Sequence, residues 1–298
     1  MRILRYLNIL CCILIATSCR ETIPETYSDF KSLPVVNAIL IEGDTLSINI
    51  SLADQLGDKS LEYIENASVE LFINDQFVED LSYSDEGNYI STTLIKSGDK
   101  YRCEVLVPGY DTVYCEQIVP DKPKIVEIIH INVAGKDEED ISFPAIKLSF
   151  ENKVLSRSYY EVEIFHLDNY RNEKTKANLK TITDPVLLNE GIPLALFSNE
   201  LIKDSIYTLH LNYWTNTYSG SKTNIYPFVV EFRQVSEDYY RYLKQLYLYE
   251  NGLWADGILT SMTNNNIYSN VENGYGIFAA CAVAVSDTIT PNLDDYYE

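Results

Sequence analysis

The chain has 298 residues, with 23 Lys and Arg against 44 Asp and Glu and a formal net charge of −21 at neutral pH. Its cations are scattered and form no stripe, which makes it a poor partner for nucleic acid, and its acidity repels anionic lipid. At this length the chain makes one large or two ordinary domains.

The first nineteen residues read as an export signal. Arg2 and Arg5 precede a short apolar run from Ile9 to Ala16. That run is too short to span a bilayer, which takes about twenty residues. Ala16-Thr17-Ser18-Cys19 then places small residues directly before a cysteine. This resembles the bacterial lipobox, which implies a diacylglycerol on the Cys19 thiol and cleavage between Ser18 and Cys19. Ala16 stands where the lipobox prefers Leu, Val or Ile, and ordinary signal-peptidase cleavage is the competing reading. Several acyl chains on one residue would give stable anchoring. Residues 1–18 are thus expected to be a signal peptide and 19–33 a polar tether.

Short runs of period-two alternation follow: Val35 to Ile41, Thr45 to Leu52, Ala67 to Asn74, Tyr89 to Leu94, Lys100 to Val107 and Thr112 to Val119. Gly, Asn and Asp turn signals separate them. The pattern predicts an antiparallel β-sandwich over 34–120, of immunoglobulin-like or transthyretin-like type. Pro120 and Pro123 interrupt the strands and mark a boundary. Runs at Ile125 to Val133, Phe143 to Phe150, Tyr159 to Leu167, Ile206 to Trp214 and Tyr226 to Phe232 predict a second sandwich over 121–235, resembling fibronectin type III.

One helix is expected over 236–252. Ser236 is its N-cap, Glu237 and Asp238 sit in its first turn, Tyr239, Leu243, Leu246 and Tyr247 share a face, and Gly252 closes it. Residues 253–298 are expected to hold a final strand packing on the second sandwich, then an acidic tail. The fold class is therefore all-β: two tandem antiparallel β-sandwiches with one short helix near the C-terminus. The 24 tyrosines suit both sandwich faces and a binding surface.

A hairpin turning at Pro108-Gly109-Tyr110 would set Val107 opposite Asp111, Val105 opposite Val113 and Cys103 opposite Cys115. In an oxidising compartment the facing thiols admit a disulfide; two buried free thiols are the equal alternative. Cys281, in the apolar run Ile277 to Val285, reads as core.

The chain resembles a family of Bacteroidetes outer-membrane lipoproteins classed as domain of unknown function 4249. The matching residues are Val35-Val-Asn-Ala-Ile-Leu40, Ile64-Glu-Asn-Ala-Ser-Val-Glu-Leu71, Gly87-Asn-Tyr89, Val119-Pro-Asp121, Ser236-Glu-Asp-Tyr-Tyr-Arg-Tyr-Leu243 and Ser269-Asn-Val-Glu-Asn-Gly-Tyr-Gly-Ile-Phe278. The resemblance implies an envelope lipoprotein, often encoded beside a TonB-dependent transporter, with no catalytic residues to carry over. Asp-Ser/Thr followed by an aliphatic residue, at Thr45, Thr112, Ser205 and Thr288, resembles the O-glycosylation sequon of such envelope proteins. The plainer reading of each site is a hydroxyl residue starting a strand.

The chemistry-bearing residues are sparse. His130, His166 and His210 lie in separate strand runs with no second ligand at metal spacing, and read as solvent-facing; no metal site is expected. Lys136-Asp-Glu-Glu-Asp140 lacks the pattern of a calcium loop and reads as a solvated hairpin tip. No phosphate loop or nucleophile elbow is present, so an enzyme is unsupported and no cofactor is expected. The candidate ligand contacts are aromatic: Tyr213 and Trp214, adjacent on a strand and hence on opposite faces, together with Trp254. One of the first two should be core and the other exposed.

These readings converge on an outer-membrane, lipid-anchored, non-enzymatic binding or accessory module, on the periplasmic or the surface side, associated with a TonB-dependent transporter in nutrient uptake. A structural or adhesive surface lipoprotein is the alternative.

Overall fold

In the computed structural model the described residues are 32–53, 62–168, 173–214, 227–251 and 267–291. The signal, Cys19, all but the end of the tether, Gly252, Trp254 and the acidic tail lie outside them. The described strands run in chain order as β1 (Pro34–Ile41), β2 (Thr45–Leu52), β3 (Glu62–Tyr63), β4 (Ser68–Ile73), β5 (Gln76–Asp80), β6 (Ser82–Tyr83), β7 (Asn88–Leu94), β8 (Lys100–Leu106) and β9 (Val113–Ile118). The second half supplies β10 (Ile125–Lys136), β11 (Ser142–Glu151), β12 (Tyr159–Asp168), β13 (Glu173–Lys176), β14 (Leu196–Ser198), β15 (Ile206–Asn212), β16 (Phe228–Val235) and β17 (Tyr275–Val285).

The fold is all-β, and each half contributes one core. The first gathers alternating inward residues such as Leu40, Ile48, Leu71, Tyr89, Tyr101 and Val105. It lies between β1, β2, β6 and β7 on one side and a four-stranded sheet in the order β5-β4-β8-β9 on the other. The second centres on Phe150, whose ring lies 4.8 Å from Phe232 and 5.2 Å from Tyr160. Here a three-stranded sheet, β10-β11-β15, faces β12 and β16. Buried tyrosines keep their hydroxyls satisfied: Tyr89 Oη donates to the Ile64 carbonyl at 3.0 Å, and Tyr101 Oη accepts the Lys96 amide at 2.8 Å.

The final strand, expected to pack on the second sandwich, pairs there with β16 and also joins the first half: β17 serves both. It pairs antiparallel with β16, Glu231 to Val285 through Val235 to Cys281, and parallel with β1, Val35 to Tyr275 through Ile41 to Cys281. One sheet therefore runs β13-β12-β16-β17-β1-β2-β7-β6 through both halves, and the described residues from Leu33 onward form one unit. The cause is compositional: Ile277 through Ala282 are all buried, so the strand is apolar on both faces and needs a neighbour at each edge. Small residues, Ala279, Ala280 and Ala282 among them, let the flanking layers close over it.

The expected helix occupies Glu237–Glu250, capped by the Ser236 hydroxyl on the Tyr239 amide and ended by Asn251. It lays Tyr239, Tyr240, Leu243, Tyr247 and Leu248 against Tyr159, Leu196 and Cys281; Leu248 and Tyr240 take part where Leu246 was expected. Tyr239 Oη donates to Glu161 at 2.8 Å, at the head of an ionic cluster in which Arg233 meets Glu161, Glu163 and Glu231. Burial opposes the Arg233 charge, but the Glu161 and Glu163 carboxylates hold the guanidinium more firmly protonated than usual. A second, unexpected helix, Pro185–Glu190, starts at Asp184-Pro185 and ends on Gly191 in the left-handed region at φ +72°.

No described helix is long and apolar enough to cross a membrane.

Candidate functional site

Three segments build a groove at one end of the second half. The first is the β10–β11 hairpin, whose tip is the acidic run of the sequence. Asp137 Oδ1 accepts the amides of Glu139 at 3.0 Å and Ile141 at 2.8 Å, which closes the turn and turns the following carboxylates outward. The second is the stretch 178–183, held along the end of β15 by Lys180 N to Asn212 O and Trp214 N to Asn178 O, both 2.9 Å. The third is the end of β15 itself, with His210, Asn212 and Trp214. Together they enclose about 890 Å³ of open, mixed polar and aromatic space.

Lys180 lies at the base, with only 5 % of its side chain exposed. Its ammonium is 2.8 Å from Asp137 Oδ2, 3.2 Å from the centroid of the Trp214 indole and 5.1 Å from that of Phe143. The lysine is therefore neutralised by a carboxylate and stacked on an aromatic face. The same contact holds the Asp137 carboxyl below the ordinary carboxylate range. Asp137 thus serves the groove as well as the turn, a role that a reading of the acidic run as a solvated tip does not contain. Asn212 Nδ2 donates to the Thr181 carbonyl at 2.8 Å and fixes the opposite wall.

Tyr213 and Trp214 divide as their adjacency requires. Tyr213 is fully buried, whereas Trp214 is 44 % exposed on the groove side. The Trp214 main chain is fixed on both sides of the residue, its carbonyl lying 3.3 Å from His166 Nε2. The histidines depart from the solvent-facing expectation. His166 is buried at 3 %, and His130 Nε2 lies 2.9 Å from Tyr213 Oη with its ring 5.3 Å from Phe228. They flank Tyr213 because imidazole packs as a flat, half-polar ring on an aromatic one; burial pushes both below the usual histidine pKa. His210 lines the groove, and its Nε2 is buried without a hydrogen-bond partner among the described residues. No described trio of His, Cys, Asp or Glu converges as a metal site.

The remaining sequence candidates lie elsewhere. Cys103 and Cys115 face each other in the register the hairpin dictates, with Val105 opposite Val113. Both thiols are free and buried; Cys115 Sγ points at the Cys103 carbonyl from 3.8 Å. Thr45 starts β2, Thr112 and Ser205 directly precede β9 and β15, and Thr288 follows β17; Thr112 is half-buried and the other three are exposed. Sequence reasoning missed Lys180 and His210 as groove residues. The only signal for Lys180 was a lone cation in the otherwise neutral stretch Leu179 to Thr183.

Fold and site together define an all-β protein of sandwich type with an open, aromatic-floored groove. The chain belongs to the family described as Domain of unknown function (DUF4249), whose model matches residues 20–287. No protein of curated function matches it. Among solved structures it is similar to one titled a putative membrane anchored protein from Corynebacterium diphtheriae, at 10 % identity and a TM-score of 0.23, over 69 % of this chain and 55 % of that one. The chain thus spans little more than half the length of that protein.

Proposed function

We propose that this chain is an exported lipoprotein of a Bacteroidetes envelope, held at the outer membrane by acyl chains on Cys19. Its β body acts as a non-enzymatic binding or accessory module beside a TonB-dependent transporter in nutrient uptake. The observation that carries the reading is the order of the N-terminal signals: Arg2 and Arg5, the apolar run to Ala16, and Thr17-Ser18-Cys19 directly ahead of the matched residues 20–287. The groove beside Trp214 supports a binding role. A lipid tether would keep that groove in the membrane plane and raise its effective concentration near any partner there. Labelling cells with an alkyne fatty acid should mark the wild-type chain, and Cys19→Ala should abolish both the label and envelope fractionation. A Cys19→Ala chain that stays with the envelope would overturn the anchor. Purification from membranes should retain a transporter; a clean preparation without one after mild cross-linking removes the accessory role.

One observation favours the structural or adhesive reading. β10 is an edge strand of its sheet and exposes Val126, Ile129 and Val133, each near half of its surface. Sedimentation at rising concentration separates the two: strand-to-strand association would appear as a dimer that Ile129→Lys dissolves.

A further inference from the structure

We propose that the Trp214 groove binds a neutral polysaccharide segment, with one sugar ring stacked on the exposed indole and its hydroxyls on the surrounding polar groups. The proposal rests on the binding-module reading above and names its ligand class. The groove's volume, about 890 Å³, falls within the ~300–1,000 Å³ typical of small-ligand sites.

The chemistry of the walls selects the class by elimination. Anions are disfavoured, because both lysines at the site are already paired, Lys180 with Asp137 and Lys136 with Asp140, while Glu138 and Glu139, without an ion-pair partner among the described residues, add negative charge at the rim. A cationic side chain fails at the aromatic step. The Lys180 ammonium lies 3.2 Å from the indole centroid, so a second cation on the other face would meet a ring whose quadrupole is already engaged and a like charge behind it. A lipid or other wholly apolar guest would strand the exposed side-chain oxygens of Thr181, Thr183, Glu138 and Glu139 without water.

A neutral guest with an apolar C–H face and many hydroxyls matches what the walls offer. The C–H face suits the exposed part of Trp214. The hydroxyls suit the rim carboxylates of Glu138 and Glu139 and the exposed side chains of Thr181 and Thr183. The aromatic and its support are fixed in advance by Asp137, Lys180 and the Asn178 hydrogen bond, so little order need be imposed on binding.

The test uses the full lipoprotein purified in a detergent without a sugar headgroup, carrying Trp254→Phe so that Trp214 is the only indole. The probes are neutral hexasaccharides of glucan, xylan and mannan type, a polygalacturonate fragment, and hexalysine. A saturable change in Trp214 fluorescence is expected with at least one neutral hexasaccharide and neither charged probe. By calorimetry, Trp214→Ala should weaken that binding about tenfold or more, and Trp214→Tyr, which keeps a stacking ring, by less. Saturation by hexalysine or polygalacturonate alone, by none of the probes, or unchanged affinity in Trp214→Ala at unchanged thermal stability would each overturn the proposal. Fatty-acid labelling and transporter retention are read on the same preparation, so the saccharide inference can fail while the anchor and accessory readings stand, and the reverse.

Discussion

The side-chain oxygen of Asn37 accepts the amide of Ile277, 240 residues further along the chain, at 3.2 Å. It marks the place where the first strand and the last run parallel and the two halves become one sheet. Next to it, Gly276 has φ +113°, and a Cβ there would run into the Val36 carbonyl oxygen. Both facts demand glycine. Gly276→Ala should cost about 2–4 kcal/mol. Urea denaturation gives the loss, and hydrogen exchange should show protection falling in β16 as well as in β1, where Gly276 pairs with Val36. Loss confined to β1 would contradict the shared-sheet account.

Glu79 ties the two layers of the first half together. It lies on β5, in the four-stranded sheet, and accepts from Ser91 Oγ, Thr92 N and Oγ1, and Thr93 N of β7 in the large sheet. Burial pushes its carboxyl up, but those donors outweigh it and bring the pKa down to about 2. The folded value lies below the unfolded one of about 4.3. The stability it contributes is therefore complete above that pH and lost as pH falls towards 2. Glu79→Gln should lose about 1–3 kcal/mol at neutral pH. In a pH series of urea titrations the gap to wild type should close between pH ~4.5 and ~2; a constant gap would refute the account.

The Ser236 hydroxyl accepts two amides, Tyr239 at 3.3 Å in the helix and Ala280 at 3.2 Å in β17. It is a cap and a clamp on the shared strand at once. Ser236→Ala should destabilise by about 1–2 kcal/mol and Ser236→Thr should restore most of it. Equal losses in the two variants would show that the hydroxyl is not the cause.

Cys281 sits where the helix meets β17, and burial pushes its thiol up to about 11. Iodoacetamide at pH 8 should leave it unmodified in the folded protein and modify it fully once urea unfolds the chain. Fast modification under native conditions would mean that the helix does not stay on the sheet.

How much of this was legible in the sequence depended on how local its cause is. Strands buried on one face, such as β2 and β8, show alternation, and the Cys103–Cys115 register followed from Pro108-Gly109 alone. Ser236 and the division of Tyr213 from Trp214 needed only short-range geometry. The short helix was also written locally, in Asp184-Pro185 and Gly191, and was overlooked because it is brief and lies outside any apolar periodicity. The edge strand β5 carries polar residues and so lacks a pattern. The shared strand could be seen as apolar, but its parallel partner lies at the other end of the chain, and no local rule names it. The groove shares that difficulty. Lys180 is buried only because a hairpin tip supplies Asp137 and a third segment supplies Trp214.

The parallel union of β1 with β17 has a mechanical side. Any pull transmitted through the N-terminal leader enters at Pro34 and runs along β1, which is hydrogen-bonded to β2 on one edge and to β17 on the other. With the counter-force at the far end of β17, near Val285, such a load runs lengthwise along the β1–β17 ladder, and its rungs must yield together and cannot peel off one after another. A protein tugged between those two points would hold its shape until the shear limit of that ladder is reached.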